Sequence, residues 1–144
     1  MPTAKSAPSK PLRVFLSYAE PDREMAVRFR SKLEGAGMDV WFDEADVVPG
    51  ANWGDALSKA LKTSDAMVTL ISPASGRSPR VAREIEFAIT QPRYQQRLIP
   101  VLLRPTKNYP WILERLNLID ATADLESAPQ RVVQALKGTK STRD

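Results

Sequence analysis

Five short apolar runs, separated by stretches of helical periodicity, constrain the fold of this chain more than any other feature. The runs occupy residues 13–18, 38–42, 65–72, 98–103 and 118–120. Each run is nearly continuous in apolar residues, as in strands that are buried on both faces. Strands that alternate with helices in this way form a parallel sheet between two layers of helices. The sequence therefore predicts an α/β fold with a parallel sheet.

The chain has 144 residues, of which 42% are hydrophobic, enough for one domain with a buried core. Residues 1–11 are rich in Pro, Ser, Ala and Lys and lack apolar periodicity, so we expect a disordered basic arm. Residues 12–137 are expected to form the domain, and residues 138–144 a basic C-terminal tail. Since no segment resembles a signal peptide or a membrane span, we expect a cytoplasmic protein.

The formal net charge of +4 comes from the two ends of the chain. Residues 1–10 and residues 137–144 each carry an excess of two positive charges, which leaves residues 11–136 neutral. A nucleic-acid groove needs positive charge concentrated on the folded surface. Nucleic acid is therefore an unlikely partner.

The chain contains no cysteine and no histidine. This excludes zinc sites of the usual Cys/His type, thiol nucleophiles, and catalytic triads that use imidazole as a base. Any catalysis must use a carboxylate, a hydroxyl, a lysine or an arginine. We expect neither a metal nor a cofactor.

One glutamate lies beside the apolar stripe of a predicted helix over residues 78–89. At about 100° per residue, one face of this helix collects four apolar side chains: Val81, Ile85, Ala88 and Ile89. Glu84 falls on the margin of that face, and Glu86 falls on the opposite side. We therefore predict that Glu84 is half-shielded and able to take part in chemistry, whereas Glu86 only solvates the helix.

Polar residues follow several of the predicted strands at the point where each strand ends. Ser17-Tyr18, Phe42-Asp43 and Ser72 occupy such positions, and the Glu84 helix begins near the same edge. In parallel sheets, ligands bind outside the carboxyl ends of the strands. The sequence therefore predicts a binding site at this edge.

Three segments, in order and at matching spacing, resemble those of a Toll/interleukin-1 receptor (TIR) domain in its bacterial form. They are Val14-Phe15-Leu16-Ser17-Tyr18, then residues 40–53, then Leu70-Ile71-Ser72 with residues 78–85. The resemblance covers about residues 12–137. It implies a flavodoxin-like three-layer sandwich around a central parallel five-stranded sheet.

Many bacterial members of that family cleave the bond between nicotinamide and ribose in NAD⁺, as part of anti-phage immunity. They release nicotinamide and ADP-ribose or a cyclic isomer, with NAD⁺ as substrate. The resemblance implies that Glu84 is the catalytic residue and that Phe42 flanks the nicotinamide. Contacts to ribose or phosphate are implied for five further residues: Ser17, Tyr18, Asp43, Asp46 and Ser72.

The chemistry suits a site with one carboxylate. Nicotinamide in NAD⁺ is a pyridinium and leaves as a neutral molecule, so it needs no general acid, unlike the alkoxide released by ordinary glycosidases. A single carboxylate can orient the ribose hydroxyls and stabilise the oxocarbenium-like transition state.

Two positions depart from the catalytic pattern of the family. Arg80 stands four residues before Glu84, where catalytic members usually carry Trp, and Ala19-Glu20 stand where some members have basic residues. Arg80 either forms a surface ion pair with Glu84, worth about 0.3–0.5 kcal/mol, or replaces an aromatic wall and contacts a phosphate or an acidic neighbour. A non-catalytic TIR adaptor and a nucleotide sensor without turnover therefore remain as alternatives.

Several of these residues also have a purely structural interpretation. Tyr18 and Phe42 are often core residues in sheets of this kind, and Ser72 can cap the turn between a strand and a helix. Trp53 and Trp111 are predicted to pack inside the domain.

The loop over residues 43–52 carries Asp43, Glu44 and Asp46 and is either solvated or a contact surface. In related domains this loop packs against a neighbouring TIR domain, and the active site is completed across the interface. Here it would face three arginines: Arg77, Arg80 and Arg83. The resemblance thus implies a homo-oligomer or filament that is activated by self-association, together with a separate sensor or effector protein.

Overall fold

A parallel sheet forms the centre of the molecule in a computed structural model, which describes residues 11–42 and 53–141. Its strands, in chain order, are β1 (Arg13–Ser17), β2 (Asp39–Trp41), β3 (Ala66–Ile71), β4 (Leu98–Leu102) and β5 (Ile119–Asp120). The order across the sheet is β2-β1-β3-β4-β5, and every neighbouring pair is parallel. The predicted five-stranded parallel sheet and the flavodoxin-like fold are thus confirmed.

Helices cover both faces of this sheet. They are α1 (Arg23–Gly35), α2 (Trp53–Thr63), α3 (Pro79–Thr90) and α4 (Ala128–Ser141). One core cluster joins α1 and α4 to one face, and a second joins α2 and α3 to the other. All six residues of β3 are buried, as expected for a central strand with helices on both sides.

The side chains of β1 alternate between the two faces of the sheet. Phe15 belongs to the cluster on the α3 side, whereas Val14 and Leu16 belong to the cluster on the α1 side. Because successive side chains of a strand point to opposite faces, Ser17 points to the α3 side. The next residue, Tyr18, packs in the cluster on the α1 side.

The structure also corrects one packing prediction. Trp111, expected inside the domain, is 70% exposed at the start of a 3₁₀ turn in which only Leu113 is buried.

The predicted loop over residues 43–52, with Asp43, Glu44 and Asp46, lies outside the described residues, as do residues 1–10 and 142–144. The side chain of Trp53 is not described either. Within the described chain, a helix with the length and apolar character of a membrane span does not occur.

Candidate active site

The start of α3 is fixed by a cap at the carboxyl edge of the sheet. Ser78 accepts a hydrogen bond from the Val81 backbone N–H through its Oγ (3.2 Å), and Pro79 occupies the first helical position. Both features favour a helix that begins at Pro79. One turn later, Glu84 projects toward the sheet.

Glu84 is more deeply buried than the helical projection predicts. Only 1% of its surface is exposed, so the expectation of a half-shielded residue is wrong. The projection measures position around the axis of α3 alone, and the sheet offers Glu84 a polar partner that lets it turn inward. Glu86, in contrast, is exposed, as predicted.

That partner is Ser17, the last residue of β1. Its Oγ donates a hydrogen bond of 2.7 Å to Oε1 of Glu84, and both side chains are buried. Such a length is typical of a hydroxyl that donates to an oxygen acceptor. The bond joins residues 67 positions apart and ties α3 to β1.

A second hydroxyl lies beside Ser17. Thr69 of β3 is directly opposite Ser17 in the parallel register, so both side chains face α3. Thr69 is buried, and its Oγ1 has no hydrogen-bond partner among the described residues. The strand ends thus bring two hydroxyl groups next to each other on the α3 side.

Arg80 contacts the other oxygen of the carboxylate. Its Nη1 lies 3.5 Å from Oε2 of Glu84, and its Nη2 donates a 2.9 Å hydrogen bond to the carbonyl of Tyr18. The guanidinium carbon is also 5.9 Å from the centroid of the Tyr18 ring. The predicted ion pair is therefore present, but it is half-buried rather than a surface pair. No local sequence pattern indicates the contact with Tyr18, which lies 62 residues away.

Tyr18 and Phe42 form an aromatic pair on the α1 side of the sheet. Their rings are stacked with centroids 5.3 Å apart and an interplanar angle of 18°, and both residues are buried. Two guanidinium groups of α1 cover the Phe42 ring: Arg23 at 5.2 Å and Arg30 at 4.9 Å from its centroid. Arg23 also donates to the Tyr18 hydroxyl at 3.1 Å. The two rings thus pack as core residues on the opposite side of β1 from Ser17.

Ser72 closes the turn after β3. Its Oγ accepts a hydrogen bond from the Ser75 backbone N–H (3.2 Å), and the Ser75 hydroxyl donates to the Ser72 carbonyl (3.0 Å). The Ser72 hydroxyl also donates a 2.5 Å bond to Oδ2 of Asp22, which is buried just before α1. This matches the structural interpretation of Ser72. Local sequence patterns do not indicate this bond, because Asp22 and Ser72 are 50 residues apart in the chain.

The structure therefore brings three of the predicted residues together: Ser17, Arg80 and Glu84. It places Tyr18 and Phe42 across β1 and Ser72 in a neighbouring turn, while Asp43 and Asp46 are not described. In residues 11–42 and 53–141, no group of three acidic side chains is placed to hold a metal ion.

The position of this cluster in the topology matches a ligand site. In the order β2-β1-β3-β4-β5, the chain reverses its direction across the sheet between β1 and β3. Open parallel sheets bind ligands outside the carboxyl ends of the strands at this switch point. Ser17 ends β1, Thr69 lies opposite it on β3, and Glu84 is hydrogen-bonded to Ser17 at this point.

Comparison with known proteins gives relatives that carry this domain. The chain is 29% identical over 133 residues to the Stimulator of interferon genes protein of Magallana gigas, covering 89% of this chain and 32% of that protein. It is 27% identical over 99 residues to a probable 2′ cyclic ADP-D-ribose synthase of Methanobrevibacter olleyae, covering 68% of this chain and 29% of that protein. The chain thus spans about a third of the length of these curated relatives.

A solved structure supports the same relationship. A metazoan TIR-STING receptor from C. gigas, in complex with 2′,3′-cGAMP, superposes with a TM-score of 0.71 at 29% identity, over 85% of this chain and 38% of that one. The family model of the TIR domain matches residues 14–136, almost the whole of the described fold. This chain is therefore a member of the TIR domain family.

Proposed function

We propose that this TIR domain cleaves the nicotinamide–ribose bond of NAD⁺, with Glu84 as the catalytic residue. The observation that carries the proposal is the Glu84 carboxylate itself, buried at the switch point of the sheet and hydrogen-bonded to Ser17 at 2.7 Å. A carboxylate that is buried at the ligand edge of a parallel sheet, with a hydroxyl and a guanidinium as partners, is a candidate for a functional group. The similarity to a probable 2′ cyclic ADP-D-ribose synthase supports the same chemistry.

The reaction needs little from the protein beyond a negative charge in the right place. The bond between C1′ and the ring nitrogen breaks, and its electron pair neutralises the pyridinium, so nicotinamide leaves uncharged. Positive charge develops on the ribose, and a fixed carboxylate stabilises it. Water then attacks C1′ and loses a proton to give ADP-ribose, or a nucleophilic atom of the same molecule closes a cyclic isomer.

The two hydroxyls beside Glu84 suit a ribose. Ser17 already donates to the carboxylate and Thr69 offers an oxygen without a described partner. A sugar diol that enters between the carboxylate and the strand ends can donate to Glu84 and accept from the Thr69 hydroxyl. Ser17 then fixes the carboxylate, and Thr69 contacts the sugar.

The closed state of the site indicates how activity is controlled. With 1% of its surface exposed, Glu84 cannot meet a ribose until the edge of the sheet opens. We propose that self-association, through the loop over residues 43–52, opens and completes the site. A separate sensor or effector protein would supply the trigger or respond to the product, in immune signalling of the kind that the resemblance implies.

The test is nicotinamide release from NAD⁺, measured by chromatography at high protein concentration. Glu84→Gln preserves the size of the side chain and removes its charge, so we expect at least about a hundred-fold loss of turnover, the usual effect of removing one electrostatic stabiliser. Glu86→Gln is the matched control, because it removes an exposed carboxylate two residues away on the same helix. The control should turn over NAD⁺ like the wild type.

A dilution series of the wild type tests the activation step. We expect specific activity to rise with protein concentration, since dilute monomers keep Glu84 closed. Activity that is independent of concentration would contradict activation by self-association. No release from any variant, even in crowded solution, would favour a non-catalytic TIR adaptor, for which the exposed Trp111 offers an aromatic contact.

A further inference from the structure

The carboxylate and the guanidinium of the Glu84–Arg80 pair differ in their access to solvent. The side chain of Glu84 is 2% exposed and that of Arg80 is 26% exposed. Of the two charged groups, only the guanidinium is therefore accessible to a dissolved ligand in this closed state.

Arg80 also restrains Glu84 in its closed position. It holds Oε2 at 3.5 Å while its own position is fixed by the Tyr18 carbonyl at 2.9 Å. Separation of an ion pair whose carboxylate is buried costs less when each charge finds a replacement partner. Arg80 therefore releases Oε2 of Glu84 most readily when another anion takes over the guanidinium.

A diphosphate is well suited to that exchange. Guanidinium groups bind phosphate oxygens through two parallel hydrogen bonds and hold them more specifically than an ammonium does. In NAD⁺ the diphosphate is attached to the 5′ carbon of the same ribose whose C1′ is cleaved. One sugar ring thus separates the anion that Arg80 would bind from the bond that Glu84 would act on.

We propose that Arg80 is a specificity-determining residue, which releases Glu84 when the diphosphate of the substrate replaces the carboxylate as its partner. The proposal rests on the proposed cleavage of NAD⁺ and defines its substrate class as nicotinamide nucleotides that carry a 5′-diphosphate. A nicotinamide riboside without phosphate leaves the Arg80–Glu84 pair intact.

The first experiment compares kcat/KM for NAD⁺ and for nicotinamide riboside. The wild type should prefer NAD⁺, and Arg80→Ala should reduce that preference by about ten-fold or more, the effect of one lost charge-assisted hydrogen bond. The rate with nicotinamide riboside should stay equal or rise, because Arg80 no longer restrains Oε2 of Glu84. Arg28→Ala, which removes an exposed guanidinium on α1, is the control and should leave the preference unchanged.

One further variant and one control measurement support the interpretation. Arg80→Lys retains the charge without the two-pronged geometry, so its preference should lie between those of the wild type and Arg80→Ala. Urea denaturation of each variant shows whether it is folded at the assay temperature. An unchanged ratio of the two substrates in folded Arg80→Ala overturns the proposal.

A binding measurement separates this proposal from the proposed cleavage. Calorimetry with ADP-ribose should show about ten-fold weaker binding to Arg80→Ala than to the wild type, with no effect of Arg28→Ala. Equal binding to wild type and Arg80→Ala overturns the role of Arg80 whether or not NAD⁺ is cleaved. Weaker binding without any cleavage by the wild type supports Arg80 as the diphosphate contact and rejects the enzyme.

Discussion

Replacement of Ser17 by alanine tests whether the hydroxyl holds a charged Glu84. The substitution removes the donor of the 2.7 Å bond to Oε1 and otherwise preserves a small side chain at the end of β1. Both residues are buried, so water cannot easily replace the lost donor. The carboxylate keeps Arg80 at 3.5 Å but loses its closer partner.

The expected cost follows from the charge and the burial of this bond. Hydrogen bonds to charged groups contribute about 1.5–3 kcal/mol, against about 1 kcal/mol for neutral pairs. We therefore expect Ser17→Ala to lower the free energy of unfolding by about 2 kcal/mol in the wild type. In a Glu84→Gln background the bond is neutral, and the same substitution should cost about 1 kcal/mol.

The assay is urea denaturation of four proteins: wild type, Ser17→Ala, Glu84→Gln and the double variant. The difference between the two costs of Ser17→Ala is the coupling free energy, expected near 1 kcal/mol. Ser31→Ala, an exposed position on α1, is the control and should change stability by no more than about 0.5 kcal/mol.

Equal costs in the two backgrounds would refute the reasoning. That result would mean that Ser17 does not distinguish a carboxylate from an amide, and hence that it does not hold Glu84 as an ion. If Ser17→Ala left the free energy of unfolding unchanged in both backgrounds, the bond would not contribute to stability.

Two other positions give independent predictions. Asp22→Ala removes the buried acceptor of the Ser72 hydroxyl and should lower the free energy of unfolding by about 2 kcal/mol in urea. Burial raises the pKa of Tyr94 above its usual value of 10.0, against the opposing effect of Arg93. As pH rises above 10.0, the unfolded chain loses the phenol proton before the folded protein does, so the free energy of unfolding should fall. Denaturation measured across alkaline pH should show a smaller fall for Tyr94→Phe, which has no phenol proton to lose.

The sequence predicts the fold because every strand and helix carries its own pattern. The apolar runs and helical stripes are local, and strands alternating with helices lead to few topologies other than a covered parallel sheet. Val81, Ile85 and Ala88 are buried as the periodicity of α3 predicts. Ile89, assigned to the same face, is 36% exposed although its neighbour Ala88 is buried, so the buried face of α3 is narrower than the periodicity predicts.

Long-range contacts of the candidate site were beyond the reach of these local patterns. The Ser17–Glu84 bond, the Arg80 contact with the Tyr18 carbonyl and the Ser72–Asp22 bond each join segments at least 50 residues apart. A helical projection places Glu84 relative to its own helix, but only the assembled sheet determines what lies opposite. Helical spacing predicts the pairing of Glu84 with Arg80, whereas the bond to Ser17 follows only from the assembled fold.

The alternation of side chains at the end of β1 explains why one strand end supplies both a polar site and an aromatic core. Ser17 and Tyr18 are consecutive, so their side chains lie on opposite faces of the sheet, one against α3 and one against α1. Arg80 is connected to both faces, through Glu84 on one side and through the carbonyl and ring of Tyr18 on the other. In the proposed exchange Arg80 keeps its contact with Tyr18 while a diphosphate replaces Glu84 as its other partner. Arg80 would then couple ligand binding on the α3 side of β1 to the aromatic pair on the α1 side.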